Sequence, residues 1–308
     1  MKIIIFYLKG SVDLIEMSIL DLKDSNTLLS KYISEGKPFN ALRFGLGNET
    51  YIAVKLHLHR QFDQQLWKSD YPHNHGIYSK NNDINDIIKF SLLYISCFMS
   101  NDLLSSFTVR HRQIRDIQNH YSNLAKNTQI HSRVLEPFYV IKDLPDEKPW
   151  SHVLIDKKVL IIHPFVDSFQ KQISNNFVID KNKPIFLPGQ KFEFYKAYQT
   201  STGNYLHSNS FETLELMKKD ISSIDFDIAL LSCGSYGAPL CHFIKNELNK
   251  SAIYLGGGLQ LLFGVKGKRW ETHDIISKII ENSDVPFINP SDDEQIPNYK
   301  IVENGCYW

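Results

Sequence analysis

The apolar positions change their pattern part-way along the chain. KKVLIIHPF (157–165), FDIALLSCG (226–234) and SAIYLGG (251–257) are continuous apolar runs of strand length. A strand covered on both faces of a parallel sheet reads in this way, whereas a half-exposed strand alternates apolar and polar residues. Between these runs, VDSFQKQISNNF (166–177), FETLELMKKDISSI (211–224) and YGAPLCHFIKNELNK (236–250) read as helices, and LQLLF (259–263) as the start of another. PIFLP (184–188) and EFYKAYQT (193–200) supply further extended pieces. Strand and helix alternating over short links predict right-handed βαβ units. The expected fold is α/β, a Rossmann-like doubly wound, mostly parallel sheet with helices on both faces.

The first 150 residues read differently. A short apolar strand precedes LLSKYISEG (28–36), a helix closed by Gly36. FNALRFG (39–45) is a buried strand, and from Asn48 onward Ile52, Leu56 and Leu58 anchor a helix. A mainly helical region is expected to about residue 135, including NDINDIIKFSLLYISCFM (82–99) with an Asn or Asp cap. EPFYVIKDLPDEKPWSH (136–152), rich in proline and charge, reads as a connection. The chain thus divides into a helical N-terminal portion (1–150) carrying RFGLGNE and an α/β half (151–308), together forming one compact unit.

Composition narrows the function classes. A chain of 308 residues buries roughly three quarters of its unfolded surface and needs no disulfide or structural metal. With 34 Lys and Arg against 34 Asp and Glu, a generalised polyanion-binding face is not expected, so nucleic acid is not an expected partner. Cys97, Cys233, Cys241 and Cys306 lack C-x-x-C spacing and read as reduced thiols of a cytoplasmic protein. The longest apolar run, FSLLYISCFM (90–99), is about half of a membrane span, so no transmembrane segment is expected. Peripheral association with a membrane stays open.

In open α/β sheets, ligands bind beyond the carboxyl ends of the strands. Four such ends are legible: RFGLGNE (43–49), HPFVDS (163–168), SCGSYGAP (232–239) and LGGGLQ (255–260). Glycines let backbone N–H groups approach a phosphate, and a following helix start favours an anion. The candidate cofactor-binding set is therefore Gly45, Gly47, Ser168, Gly234, Ser235, Tyr236, Gly237, Gly256, Gly257, Gly258 and Gln260, joined by Lys268 and Arg269 if their loop folds back. Neither G-x-G-x-x-G nor the P-loop spacing is present, which disfavours nicotinamide cofactors and ATP hydrolysis.

Glu49 follows a strand and two glycines, at the rim of the expected cleft. It serves as a general base, as a metal ligand, or as a helix cap. Arg43 in the same strand pairs with Glu49, binds phosphate, or is a surface cation. His163 at its strand end is a donor, a general acid, or a core histidine. Asp225 and Asp227 have D-x-D form, but they precede their strand and fall at the opposite edge of the sheet. The pairs His57/His59 and His73/His75 lack a ligand partner in a standard spacing and read as surface residues.

IIHPFVDSFQKQ, FDIALLSCGSYGAPLCHFIK, SAIYLGGGLQLLFGVKGKRW and the terminal ENGCYW together resemble a family of bacterial GT-D-fold-like proteins from surface-polysaccharide gene clusters. The resemblance covers roughly residues 39–270 plus the last six. It implies a glycosyltransferase using a nucleotide-sugar donor, UDP-sugar above all, and a glycan or lipid-linked acceptor in capsule or O-antigen assembly. Such enzymes carry an R-F-G-D-G-E motif whose acids bind a divalent cation, Mn or Mg. Here Leu46 and Asn48 stand at the two acid positions and Glu49 comes one residue later. The departure puts the metal in doubt and leaves a second reading, a non-catalytic GT-D-like module that binds a glycan or a partner. A methyltransferase ranks last, because no suitable acid ends a following strand.

Overall fold

The computed structural model describes residues 18–43, 66–106, 125 and 127–308. Its seven strands are β1 (Asn40–Arg43), β2 (Leu103–Ser106), β3 (Thr128–His131), β4 (Lys158–His163), β5 (Lys191–Lys196), β6 (Ile228–Leu231) and β7 (Ser251–Tyr254). They form one sheet in the order β3-β2-β1-β7-β6-β4-β5, and all pairings are parallel. The apolar runs at β4, β6 and β7 lie in the middle of this order, where both faces are covered.

The two faces carry separate cores, divided by the alternation of side chains along each strand. Leu160 and Ile162 of β4, Ala229 and Leu231 of β6, and Leu42 of β1 face one core. Val159 and Ile161, Ile228 and Leu230, and Ala41 face the other. Among the helices, α2 (Ile84–Met99), α5 (Ser210–Ser222) and α6 (Gly237–Asn246) bury Phe90, Tyr94, Leu214, Met217 and Ile244 in the first core. In the second, α1 (Leu22–Glu35), α3 (Pro137–Asp143) and α4 (Val166–Ser174) bury Leu29, Ile33, Phe138 and Phe169. Helices on both faces of a parallel sheet make the fold doubly wound, as the sequence pattern predicts.

Local chemistry sets the helix ends. The Asp21 carboxylate accepts the Asp24 N–H at 2.8 Å to start α1, and Gly36 ends it at φ 68°. Asp83 accepts the Asn85 N–H at 2.8 Å to start α2. Each carboxylate takes one of the backbone donors that a first helical turn leaves unpaired.

Three expectations change. The region read as mainly helical also supplies β2 and β3, each four residues long, too short for their periodicity to stand out. The segment read as a connection holds α3, which opens on Pro137, and a 3-10 turn at Trp150–Leu154. Trp150 is fully buried, and its indole N–H donates to the Val134 carbonyl at 2.6 Å. PIFLP forms no strand; β5 starts at Lys191. The N-terminal strand and the helix expected from Asn48 lie outside the described residues. One sheet takes strands from both portions of the chain, with β1 between β2 and β7. The four cysteines are buried and unpaired. Among the described residues no helix is long and apolar enough to cross a membrane.

Candidate functional site

After β4 the chain moves outward to β5, and after β6 it moves inward to β7. Such reversals open a crevice beyond the strand ends. A cleft of about 420 Å³ lies there, lined by Arg43 from β1, His163 after β4, Ser232–Tyr236 after β6 and Gly256–Gly258 after β7. Gln260, Arg269, Trp270, Glu303, Tyr307 and Trp308 complete that side, and Asn74, His75 and Tyr198–Ser201 face it.

Each glycine of the LGGG turn has its own reason. Gly256 has φ 66°, and a Cβ there would sit 3.2 Å from the Arg43 side chain. At Gly257 a Cβ would sit 3.3 Å from the Tyr307 ring and 3.6 Å from Arg269 Nη1. At Gly258 it would fall 2.5 Å from the Glu136 carboxylate. That carboxylate takes the Arg43 guanidinium at 2.5 Å, and the same Nη1 donates to the Leu255 carbonyl at 2.7 Å. Burial raises the Glu136 pKa, against the opposing pull of Arg43. Arg43 therefore fastens the end of β7 to a buried carboxylate that sequence reading missed, since Glu136 sits in what looked like a connection.

The second glycine turn is built around Gly234, at φ 58°. The Tyr254 hydroxyl donates to the Gly234 carbonyl at 3.0 Å, and the Ser235 hydroxyl to the His75 carbonyl at 2.7 Å. A Cβ at Gly237 would collide with the Tyr254 ring. Gly237 thus serves close packing and does not line the cleft. Tyr236 lines the cleft, but its buried hydroxyl bonds Thr200 at 2.8 Å. Burial raises its pKa, so it remains a neutral phenol.

His163 is buried at the cleft. Its Nδ1 accepts the Phe165 N–H at 2.9 Å, which leaves the ring proton on Nε2. Burial lowers its pKa to about 3. It is therefore a neutral imidazole with a fixed N–H donor, and the expected role as a protonated general acid does not suit it near neutral pH.

Of the basic side chains Lys266, Lys268 and Arg269, only Arg269 lines the cleft. Its Nη2 pairs with the Glu303 carboxylate and lies 2.8 Å from Cys306 Sγ, while the guanidinium stacks 4.2 Å over the Tyr307 ring. Lys268 is exposed and outside the lining, and Lys266 pairs with Glu271 at 3.1 Å. The loop is held by the C-terminal segment: the Lys268 N–H donates to the Trp308 carbonyl at 3.0 Å, and that of Arg269 to the Cys306 carbonyl at 3.1 Å. The Gln260 amide donates to the Tyr307 carbonyl at 3.3 Å. The sequence reading had both ENGCYW and VKGKRW but had no means of joining them.

Ser168 does not line the cleft. Its hydroxyl donates to the buried Glu294 carboxylate, which also accepts the Asp167 N–H at 2.9 Å and the Ser168 N–H at 3.2 Å. Glu294 thereby occupies the anion position at the start of α4, so this helix end is closed to a phosphate by the chain's own acid.

Asp225 pairs with Lys158, and Asp227 accepts the Lys158 N–H at 2.8 Å, at the amino edge of the sheet as the spacing predicts. Gly45, Gly47 and Glu49, with His57 and His59, lie outside the described residues. His75, read as a surface residue, is half-buried and lines the cleft. Among the described residues no group of three His, Cys, Asp or Glu side chains is arranged to hold a metal ion. Glu303, the carboxylate that lines the cleft among them, is already paired with Arg269.

A family model described as a GT-D fold-like domain matches residues 26–262. That is well over half of the chain, and it spans β1 to α7 (Leu259–Leu262). The chain belongs to the GT-D fold-like family, and its parallel α/β sheet is consistent with that fold. No curated protein and no solved structure matches it.

Proposed function

We propose that this protein is a nucleotide-sugar-dependent glycosyltransferase, with a UDP-sugar as donor and a glycan or lipid-linked acceptor in bacterial surface-polysaccharide assembly. The observation that carries the reading is the cleft itself. Two glycine-rich turns at the ends of adjacent parallel strands flank it, and the Arg269 guanidinium forms part of its wall. The glycine turns admit a diphosphate close to the backbone, and Arg269 balances its charge.

In the reaction, the acceptor oxygen bonds to the anomeric carbon as the bond from that carbon to the diphosphate oxygen breaks. The electron pair leaves with the diphosphate, where Arg269 stabilises the developing charge. His163, neutral with its proton on Nε2, contributes a hydrogen bond without adding charge. Glu49 takes the acceptor proton in this scheme.

The second reading, a GT-D-like module that binds a glycan or a partner without turnover, is favoured by Leu46 and Asn48 at the acid positions of the motif. A thermal-shift panel of nucleoside diphosphates and nucleotide sugars, with and without manganese, separates the two. A ligand at 100 times its Kd stabilises by about 2.7 kcal/mol. UDP or a UDP-sugar raises Tm if the proposal holds, and Glu49→Ala then abolishes transfer while donor binding persists. A flat response to the whole panel overturns it.

A further inference from the structure

Arg269 is the cationic group on the glycine-turn side of the cleft whose charge is already taken by a residue of the same wall. Its contacts to Glu303 and Cys306 both run through Nη2, whereas Nη1 lies 3.6 Å from the position of a Cβ on Gly257, next to the Tyr307 ring at 3.3 Å. The guanidinium thus has one edge toward Glu303 and the other toward the glycine turn. Glu303 and Arg269 both line the cleft, and their side chains keep 50% and 29% of their exposure. An entering ligand can reach both.

The backbone that delivers Glu303 is unusual. Glu303 has φ 45° and ψ 44°, Asn304 follows at φ 60°, and Gly305 at φ 71°. Left-handed conformations are unfavourable for residues with a Cβ, and for Glu more so than for Asn. Consecutive ones persist where surrounding contacts hold them, and they concentrate at ligand clamps and switches. Here the holding contact is the ion pair, together with the Arg269 N–H to Cys306 carbonyl bond at 3.1 Å.

We infer that Glu303 is a specificity-determining residue: its carboxylate holds the place of the ligand's diphosphate on Arg269, and binding exchanges one anion for the other. The inference rests on the reading of the cleft as a nucleoside-diphosphate site. It assigns to the cleft a built-in competitor. A neutral or weakly anionic ligand cannot displace Glu303, so the site discriminates a diphosphate from a monophosphate or an unphosphorylated nucleoside by charge as well as by shape.

Isothermal titration of inorganic pyrophosphate, UDP and uridine into the wild type, Glu303→Gln, Arg269→Gln and the double variant tests this. Removing the competing charge tightens pyrophosphate and UDP about tenfold in Glu303→Gln, as expected for a close charge pair. Uridine affinity stays unchanged. Arg269→Gln weakens both anions, and the double variant behaves as Arg269→Gln alone. Glu303→Gly, which takes the left-handed backbone at no steric cost, shows the same gain, so a folding defect in one variant does not decide the result. Equal or weaker pyrophosphate binding in both Glu303 variants overturns the inference, as does a gain that survives without Arg269 or extends to uridine. If the wild type binds UDP but neither variant tightens, Glu303 is misassigned and the functional reading stands. If pyrophosphate follows the predicted pattern while no nucleoside diphosphate binds, the functional reading fails and the exchange at Arg269 holds. No binding of any anion to the wild type or the variants overturns both.

Discussion

Arg43 and Glu136 meet at 2.5 Å across 93 positions of sequence, and the glycine turn after β7 closes against both of them. The pair joins the end of β1 to the residue that precedes α3, and the second bond of Arg43 Nη1, to the Leu255 carbonyl, adds the end of β7. Arg43 thus ties the end of β1 and the turn after β7, which both line the cleft, to the residue before α3. The side chains retain 22% and 8% of their exposure, so the pair is shielded from water on the Glu136 side.

Breaking this pair from one side leaves an uncompensated buried charge. Arg43→Met is expected to destabilise the fold by about 3–5 kcal/mol, the cost of orphaning a buried partner. The pH dependence has a definite sign. The folded Glu136 pKa is raised above its unfolded value by burial, so the folded state takes up a proton more readily. The stabilisation this gives is complete below the ordinary carboxylate pKa and is lost as pH rises through the raised one. Glu136→Gln, which cannot ionise, lacks that loss. Urea unfolding from pH 4 upward is expected to show the stability of Glu136→Gln gaining on the wild type as pH increases.

Gly257 and Gly258 are predicted to fail differently. Gly258→Ala places a methyl group 2.5 Å from Glu136, inside a packed wall, and overpacking of this kind costs about 1–3 kcal/mol. Gly257→Ala meets the Tyr307 ring at 3.3 Å, a contact that a small ring shift relieves. It should fold with a stability change below about 1 kcal/mol and show weakened UDP binding, since its methyl group narrows the cleft. Thermal unfolding and titration of the two variants side by side check this.

His163 should remain neutral across the physiological range. Its folded pKa, lowered to about 3 by burial, lies below the unfolded value, so the unfolded chain binds more protons on acidification. Stability from this residue is present above about pH 6.5 and is lost as pH falls toward 3. Nitrogen-15 spectra of the imidazole should show one neutral tautomer, protonated at Nε2, from pH 5 to 8. A titration midpoint within that range would remove the fixed-donor role.

Lys268 and Arg269 are neighbours with opposite expected phenotypes. Lys268 is exposed outside the cleft and Arg269 is part of its lining. Arg269→Ala should weaken UDP binding about tenfold or more, the loss of one charge-assisted contact. Lys268→Ala should leave it within about twofold, in keeping with surface substitutions generally. Titrations at matched ionic strength compare the two.

The sequence by itself determined the sheet's centre. β4, β6 and β7 are unbroken apolar runs because both of their faces are covered, and that property belongs to each strand alone. It also located the cleft at the strand ends and named Arg43, His163, Gly256, Gly257, Gly258 and Arg269 within it. β2 and β3 were illegible because four residues do not establish a period. The tertiary structure alone decided the partners. Glu136 for Arg43, Glu294 for Ser168, and Glu303 with Tyr307 for Arg269 come from segments 93, 126 and 34 or more positions away. Periodicity and capping are local signals, so they report which face a residue takes. Which charge a buried arginine meets depends on how distant segments close over one another, and no local pattern carries that information.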